Sequence, residues 1–189
     1  METSRLVLRR PLPEDVPPLA RINADPEVMK YIGDGRVRTV AETAEGIRRA
    51  VREWDERGHG MFSVGRRETG EFIGWVALTV PSFLPEVLPA VEIGWRLARQ
   101  HWGQGFATEA AREALRFGFE SCALDAIISI RHVDNDASRR VMEKLGLHFD
   151  FQTKVPSHGQ PVAVHSISRA KFNGRQRARA APRPGPGRG

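Results

Sequence analysis

The sequence predicts a single α+β (mixed α/β) domain, and three observations carry the prediction. Apolar runs at strand-like spacing alternate along the chain with segments of helical spacing. Their order is strand, two helices, three strands, helix, strand, helix, two strands, which is the pattern of an α+β or mixed α/β fold. The chain has 189 residues, 40% hydrophobic and 28% charged, which suits one domain burying about 70% of its unfolded surface.

The first strand is Arg5 to Arg10, apolar at Leu6, Val7 and Leu8 and stopped by Pro11. Asp15 offers an N-cap for the next helix, where Pro17 and Pro18 fall in the first turn and Leu19, Ile22 and Asn23 share a face. Asp25-Pro26 closes it. Thr39 and Glu42 form a capping box ahead of Ile47, Ala50, Val51 and Trp54, and Arg57-Gly58 ends that second helix. His59 to Arg67 and Glu71 to Val80 read as strands joined by a turn at Glu68-Thr69-Gly70, the second apolar on both faces and so central.

In Ala90 to Leu97 the alternation puts Val91, Ile93, Trp95 and Leu97 on one face and Glu92, Gly94 and Arg96 on the other. A helix over Ala107 to Ser121 follows, with the small residues Ala107, Ala110, Ala111, Ala114 and Gly118 at helical spacing, suited to close packing on a sheet. Ala126 to Val133 is a strand rich in isoleucine. Asn135 or Asp136 caps a short helix with Ala137, Val141 and Leu145 on one face, stopped by Gly146. Phe149 to Val155 and Val162 to Ser168 form a terminal strand pair.

Composition narrows the function classes. One cysteine, Cys122, excludes an intramolecular disulfide and paired-cysteine metal sites, and makes a reducing, cytoplasmic compartment the default. The six histidines show no ligand cluster, so no metal is expected. The start of the chain lacks the basic and apolar segments of a signal peptide, and the longest uncharged stretch, Phe72 to Pro85, is too short to span a bilayer. No membrane partner is expected.

The net charge of +6 suggests an anionic partner. Five arginines and no acid fall in residues 173–189, which leaves only +1 on residues 1–172. The expected organisation is a domain over 1–172 followed by a disordered Arg/Pro/Gly-rich tail over 173–189, with no apolar residue larger than Ala. Any ribosome or RNA contact is expected there.

The segment with chemical content is Gln100-His101-Trp102-Gly103-Gln104-Gly105-Phe106-Ala107-Thr108-Glu109, between a strand and a helix. Gly103 and Gly105 let consecutive amides point into one concavity at the positive end of the helix, as a phosphate cradle does. A nucleotide P-loop lacks its Gly-Lys here, and a dinucleotide fingerprint would need a third Gly or Ala where Thr108 stands.

On these residues the chain resembles the GNAT superfamily of acyl-CoA-dependent N-acetyltransferases, whose signature of Gln or Arg, two residues, Gly, one residue, Gly or Ala is filled by Gln100, Gly103 and Gly105. The extended run Trp102 to Ala110, with Asn135, Ser138 and Glu143-Lys144-Leu145-Gly146, is similar to the branch containing the Rim-type acetyltransferases of ribosomal-protein N-termini. The resemblance spans about Arg5 to Lys171. It implies a mostly antiparallel sheet of six to seven strands, splayed at the cofactor site, with helices on both faces.

The resemblance also implies acetyl-CoA as co-substrate and a primary amine as acceptor, in a monomer or homodimer. The strand at Trp95, Arg96 and Leu97 would hold the pantetheine arm through its backbone. The loop Gln100, His101, Trp102, Gly103, Gln104 and Gly105, with Ala107 and Thr108, would hold the pyrophosphate, and Asn135 and Ser138 would line the arm and thiol. Direct attack needs a neutral amine and hence a proton acceptor. Glu92 is the candidate base, the alternative being a buried carboxylate paired with an arginine. Ser138 is the candidate acid, the alternative being a first-turn hydroxyl.

Two departures stand out. The tyrosine that many of these enzymes use as acid is replaced by Met142, and Leu147-His148-Phe149-Asp150 replaces the usual Phe-x-x-Glu-Gly. The competing functional class is a catalytically silent acyl-CoA-binding or ribosome-associated protein that uses its basic tail. Trp54, Trp75 and Trp95 are expected in the core, Trp102 beneath the loop, and Cys122 as inert packing.

Overall fold

The capping box forms as its spacing demands. In the computed structural model, which describes residues 1–180, the Thr39 side chain accepts from the Glu42 N–H and the Glu42 carboxylate accepts from the Thr39 N–H. The helix they start, α3 (Val40–Arg57), ends at Gly58 in the left-handed region. Before it come β1 (Leu6–Arg9), α1 (Val16–Asn23) and α2 (Pro26–Met29). The sequence places a stop at Asp25-Pro26, but Asp25 instead caps the single turn of α2 by accepting from the Glu27 N–H.

Asp15 does not cap α1 as the sequence suggests. Its buried carboxylate takes bonds from Arg9 (2.5 and 2.8 Å), the Ser63 hydroxyl (2.6 Å) and the Leu12 N–H (2.9 Å). Burial alone would push its pKa up; these donors outweigh that and hold it below the usual range.

The seven strands form one sheet in the order β1-β2-β3-β4-β5-β7-β6, with β2 (Met61–Arg66), β3 (Phe72–Thr79), β4 (Glu92–Leu97), β5 (Ala126–His132), β6 (His148–Lys154) and β7 (Pro161–Ser168). Every pairing is antiparallel except β4 with β5. On one face, α4 (Phe106–Glu120) and α5 (Asp136–Leu145) close the main core, which includes Ile73, Leu78, Ile93, Ala111, Leu115 and Ile127. The small-residue face of α4 is needed there: a Cβ at Gly118 would lie 2.8 Å from Ile127 Cδ1. On the other face, Leu19 and Ile22 of α1 and Ile47 and Ala50 of α3 pack on Met61 and Ala77. A third cluster, Leu84 with Ile128, Val155 and Val164, covers the β5–β7 half of that face.

The expectation of a disordered tail from residue 173 is corrected for residues 173–180, which continue α6 (Arg169–Ala180). Arg and Ala are strong helix formers. Phe172 on this helix is buried against Phe119, with ring centroids 5.1 Å apart, and Arg175 lies over Gly146. The rest of the expected tail, residues 181–189, lies outside the described residues. Cys122 is partly buried, which pushes its thiol pKa up and leaves little thiolate.

Candidate active site

Strand β4 pairs along its whole length with β3 but meets β5 at a single register pair, Glu92 with Ile128. The Ile128 N–H donates to the Val91 carbonyl (2.9 Å), as a parallel ladder requires. The next rung, from the Ile130 N–H to the Ile93 carbonyl, is replaced by two side chains. Ile130 N–H donates to Glu92 Oε1 (3.3 Å), and the buried Ser129 hydroxyl donates to the Ile93 carbonyl (2.8 Å). The strands therefore open with these buried backbone groups still satisfied. Ser129 carries no motif, so nothing in the sequence singles it out.

Beyond β4 the chain makes a 3-10 turn at Arg99–His101 and enters α4 through Gly103 (φ 74°) and Gly105 (φ 83°), both in the left-handed region that glycine tolerates. No side chain caps α4, whose first helical bond closes only at the Glu109 N–H. The first-turn amides of Phe106, Ala107 and Thr108 thus lack intrahelical partners, at the positive end of the helix. Arg5 braces the loop from the β1 side by donating to the Gln104 carbonyl (3.1 Å), pairing with Glu109 (2.6 Å) and lying over the Phe106 ring (4.4 Å).

Within the loop, the Gln104 side chain donates to the Gln100 carbonyl (2.8 Å) and the half-exposed Trp102 indole donates to the Leu97 carbonyl (2.8 Å). Trp102 therefore ties the loop to β4 while its ring stays accessible, and is not packed underneath. His101 is buried against Glu71 (3.2 Å) and Phe106, so only its backbone is available to a ligand.

Across the opening, Asn135 caps α5 by accepting from the Ser138 N–H (3.0 Å). Met142 is fully buried in the main core, where the helical face that carries Leu145 places it. Glu92, Trp95, Arg96, Asn135 and Ser138 line one cavity of about 600 Å³ between the sheet and the α1 to α3 segment. Leu97 is buried in the main core, and the Gln100 to Thr108 segment lies outside the cavity lining. Residues to which the sequence assigns no site role also line the cavity: Ser129 and Asn23, Arg38 before α3, and Tyr31 stacked on His132 at 5.2 Å. Trp75, expected only as core, also lines it and lies against Arg96.

Glu92 and Arg96, neighbours on one face of β4 in the cavity, have strongly displaced proton affinities. Glu92 has no cationic partner among the described residues; burial pushes its pKa up to about 8, against the opposing bond from Ile130. Arg96 is pushed down to about 9, first by burial and then by the nearby charge of Arg38. The alternative of an arginine-paired Glu92 is thus not what the geometry contains.

The opened strand edge, the two left-handed glycines and the uncapped helix start fit a diphosphate-bearing thioester such as acetyl-CoA. Among the described residues no group of three or more His, Cys, Asp or Glu side chains could hold a metal ion, and no helix is long and apolar enough to cross a membrane. Residues 5–148 match the family model described as the acetyltransferase (GNAT) domain. The chain is 34% identical over 171 residues to FsC-acetyl coenzyme A-N(2)-transacetylase of Aspergillus fumigatus, covering 80% of this chain and 68% of that one. Its fold is similar to a GNAT-family acetyltransferase from Bacillus anthracis (TM-score 0.76, 24% identity, covering 90% and 98% of the two chains). It is also similar in fold to a RimL-type ribosomal-protein alpha-N-acetyltransferase solved with coenzyme A (TM-score 0.71, 17% identity, 88% and 95%). Sheet, opened strand pair, glycine loop and family match agree: the chain belongs to the GNAT acetyltransferase family, which uses acetyl-CoA as acetyl donor.

Proposed function

We propose that this chain acetylates a primary amine by direct attack in a ternary complex, with Glu92 as general base and Ser138 as the donor that protonates the departing thiolate. The observation that carries the reading is the convergence of Glu92, Asn135 and Ser138 on one cavity beside the β4–β5 opening. Acetyl-CoA supplies the activated thioester. The backbone of Trp95, Arg96 and Leu97 along the opened edge would hold its arm, and the amides from Gly103 to Thr108 its pyrophosphate.

Glu92 suits the task because its pKa, raised to about 8, lets it take a proton from an ammonium group more readily than an ordinary carboxylate does. Its partial exposure to the cavity leaves room for a water between carboxylate and amine. Met142, buried in the core, has no proton to give. Ser138 at the cavity wall is the nearest replacement by role. Much of the rate would come from holding amine and thioester together.

Calorimetric titration with acetyl-CoA, followed by thiol release across a panel of amines and peptides, tests the reading. Binding with turnover that falls in Glu92→Gln is the expected result. Absence of acetyl-CoA binding overturns it, and binding without turnover on any amine favours a silent acyl-CoA-binding protein.

A further inference from the structure

The cavity that holds Glu92 at one end is strongly cationic at the other. Arg96 lies on the same face of β4, four residues along, with Gly94 between them offering no side chain. It is 9% exposed, its Nη1 donates to Asn23 Oδ1 (2.5 Å), its guanidinium lies 5.1 Å from the Trp75 ring, and its Nε has no partner. Burying a guanidinium without a carboxylate is costly. Arg38 compounds the cost: its backbone N–H donates to the Asn23 carbonyl (3.0 Å), which anchors the chain there, and its side chain lines the same cavity and acts on Arg96 as a second positive charge.

Asn23 cannot offset the charge. Its Oδ1 accepts from the Arg96 guanidinium, its carbonyl accepts the backbone N–H of Arg38, and its Nδ2 donates to the Thr43 hydroxyl (3.0 Å), so it brings a neutral amide and no negative charge. Among the described residues neither Arg38 nor Arg96 forms an ion pair. Of the other acids lining the cavity, Glu42 pairs with Arg36 (2.6 Å) and caps α3, and Glu53, on α3, forms no ion pair with either arginine among the described residues. Two arginines that line one cavity with no carboxylate partner among the described residues are arranged to receive an anion.

Resting on the acetyltransfer reading above, we propose that the acceptor is an amine that also carries an oxyanion, a carboxylate or a phosphate, which Arg38 and Arg96 hold while the amino group lies toward Glu92. Four residues of extended strand separate Glu92 from Arg96 by about 13 Å between Cα atoms. That span favours acceptors whose amine and acid are separated by a chain over α-amino acids, in which the two groups are adjacent. The same charges repel a second amino group, so diamines are disfavoured.

The test compares 6-aminohexanoate, 6-aminohexyl phosphate, 6-aminohexanamide and 1,6-diaminohexane as acceptors for the full chain, read by thiol release. The expected result is a kcat/KM at least tenfold higher for one or both acids than for the amide, with the diamine lowest. Preference for the carboxylate or the phosphate identifies which oxyanion is meant. In Arg38→Gln the acid-to-amide ratio falls toward one, and in Arg38→Glu the diamine overtakes the acids. Equal use of amide and acids by the parent chain overturns the proposal.

A binding arm separates this failure from failure of acetyltransfer itself. With saturating CoA occupying the phosphate loop, glutarate and inorganic phosphate should raise the melting temperature of the parent chain and leave Arg38→Glu and Arg96→Gln unchanged. Arg38 lies outside the packed sheet, so its variant decides the matter should Arg96→Gln not fold. Equal shifts in parent and variants, or none in either, reject the anion site whether or not any amine is acetylated.

Discussion

The carboxylate of Glu92 accepts the backbone N–H of Ile130 at 3.3 Å, at the point where the β4–β5 ladder stops. One side chain thus does two things. It satisfies an amide that the opening of the sheet would strand, and it stands at the mouth of that opening as a carboxylate of raised pKa, the property that supports its proposed role as base.

Replacing Glu92 with Gln keeps the shape and removes the base. Turnover should fall about 10²- to 10⁴-fold, the usual worth of a positioned acid or base, with acetyl-CoA affinity kept. In the parent chain the pH profile of kcat/KM should carry an inflection near 8 from Glu92 on top of the rise that acceptor deprotonation produces, whereas the variant should keep only the latter. The folded pKa lies above the unfolded one, so the contribution of Glu92 to stability is full below about 4.5 and is lost as pH climbs through about 8. Denaturant melts at pH 6 and 9 should therefore show a smaller loss for Glu92→Gln than for the parent chain.

Ser129→Ala leaves the Ile93 carbonyl without its hydroxyl donor at a buried site. An unsatisfied buried group costs about 1–3 kcal/mol, so urea unfolding should shift to lower midpoint. Ser129→Thr retains the hydroxyl and should lose less by that criterion. A midpoint unchanged in Ser129→Ala would show that water or a closing of the strands serves the carbonyl equally well.

Gly103→Ala places a Cβ at φ 74° in otherwise open space, so its effect is backbone strain alone, about 1–2 kcal/mol. Calorimetry should show weaker acetyl-CoA binding with turnover at saturation largely kept, because the loop sits away from Glu92. Gly105→Ala carries the same strain at φ 83°, and its Cβ would also stand 3.5 Å from Arg5 Nη2, an ordinary contact that adds little. Acetyl-CoA affinity equal to that of the parent chain in both variants would remove the loop from phosphate binding.

Phe172→Ala empties a buried site against Phe119. Truncating a core phenylalanine costs about 3–5 kcal/mol, and thermal melts should report it as a loss comparable to deleting α6 from Phe172 onward. Truncation just after Phe172 should cost far less. If both truncations melt alike, the arginine-rich remainder of α6 and not Phe172 holds the helix in place.

Most of the fold was legible because its signals are local. The Thr39–Glu42 box, the alternation of Glu92 to Leu97, the small face of α4 and the cap at Asn135 each act over a few residues, and each element formed within a residue or two of its sequence limits. The left-handed turns of the loop before α4 were legible for the same reason, since Gly103 and Gly105 state their backbone geometry without help from the rest of the chain. The burial of the His101 ring against Glu71 was not legible, because a loop position says nothing about which way a ring turns. The helical continuation past residue 172 was hidden because an Arg/Ala/Gly composition suits both a tail and a helix, and docking of Phe172 decided between them.

The sequence by itself determined the elements, the backbone geometry of the glycine loop and the resemblance to the family. Tertiary structure alone decided what the site does with them. Ser129 reaches the carbonyl of Ile93 across 36 positions, Glu92 reaches Ile130 across 38, and Arg96 meets Asn23 across 73. No local pattern encodes such meetings. Sheet register and the packing of α1 over β3 bring them about, and burial then displaces the proton affinities of Glu92 and Arg96.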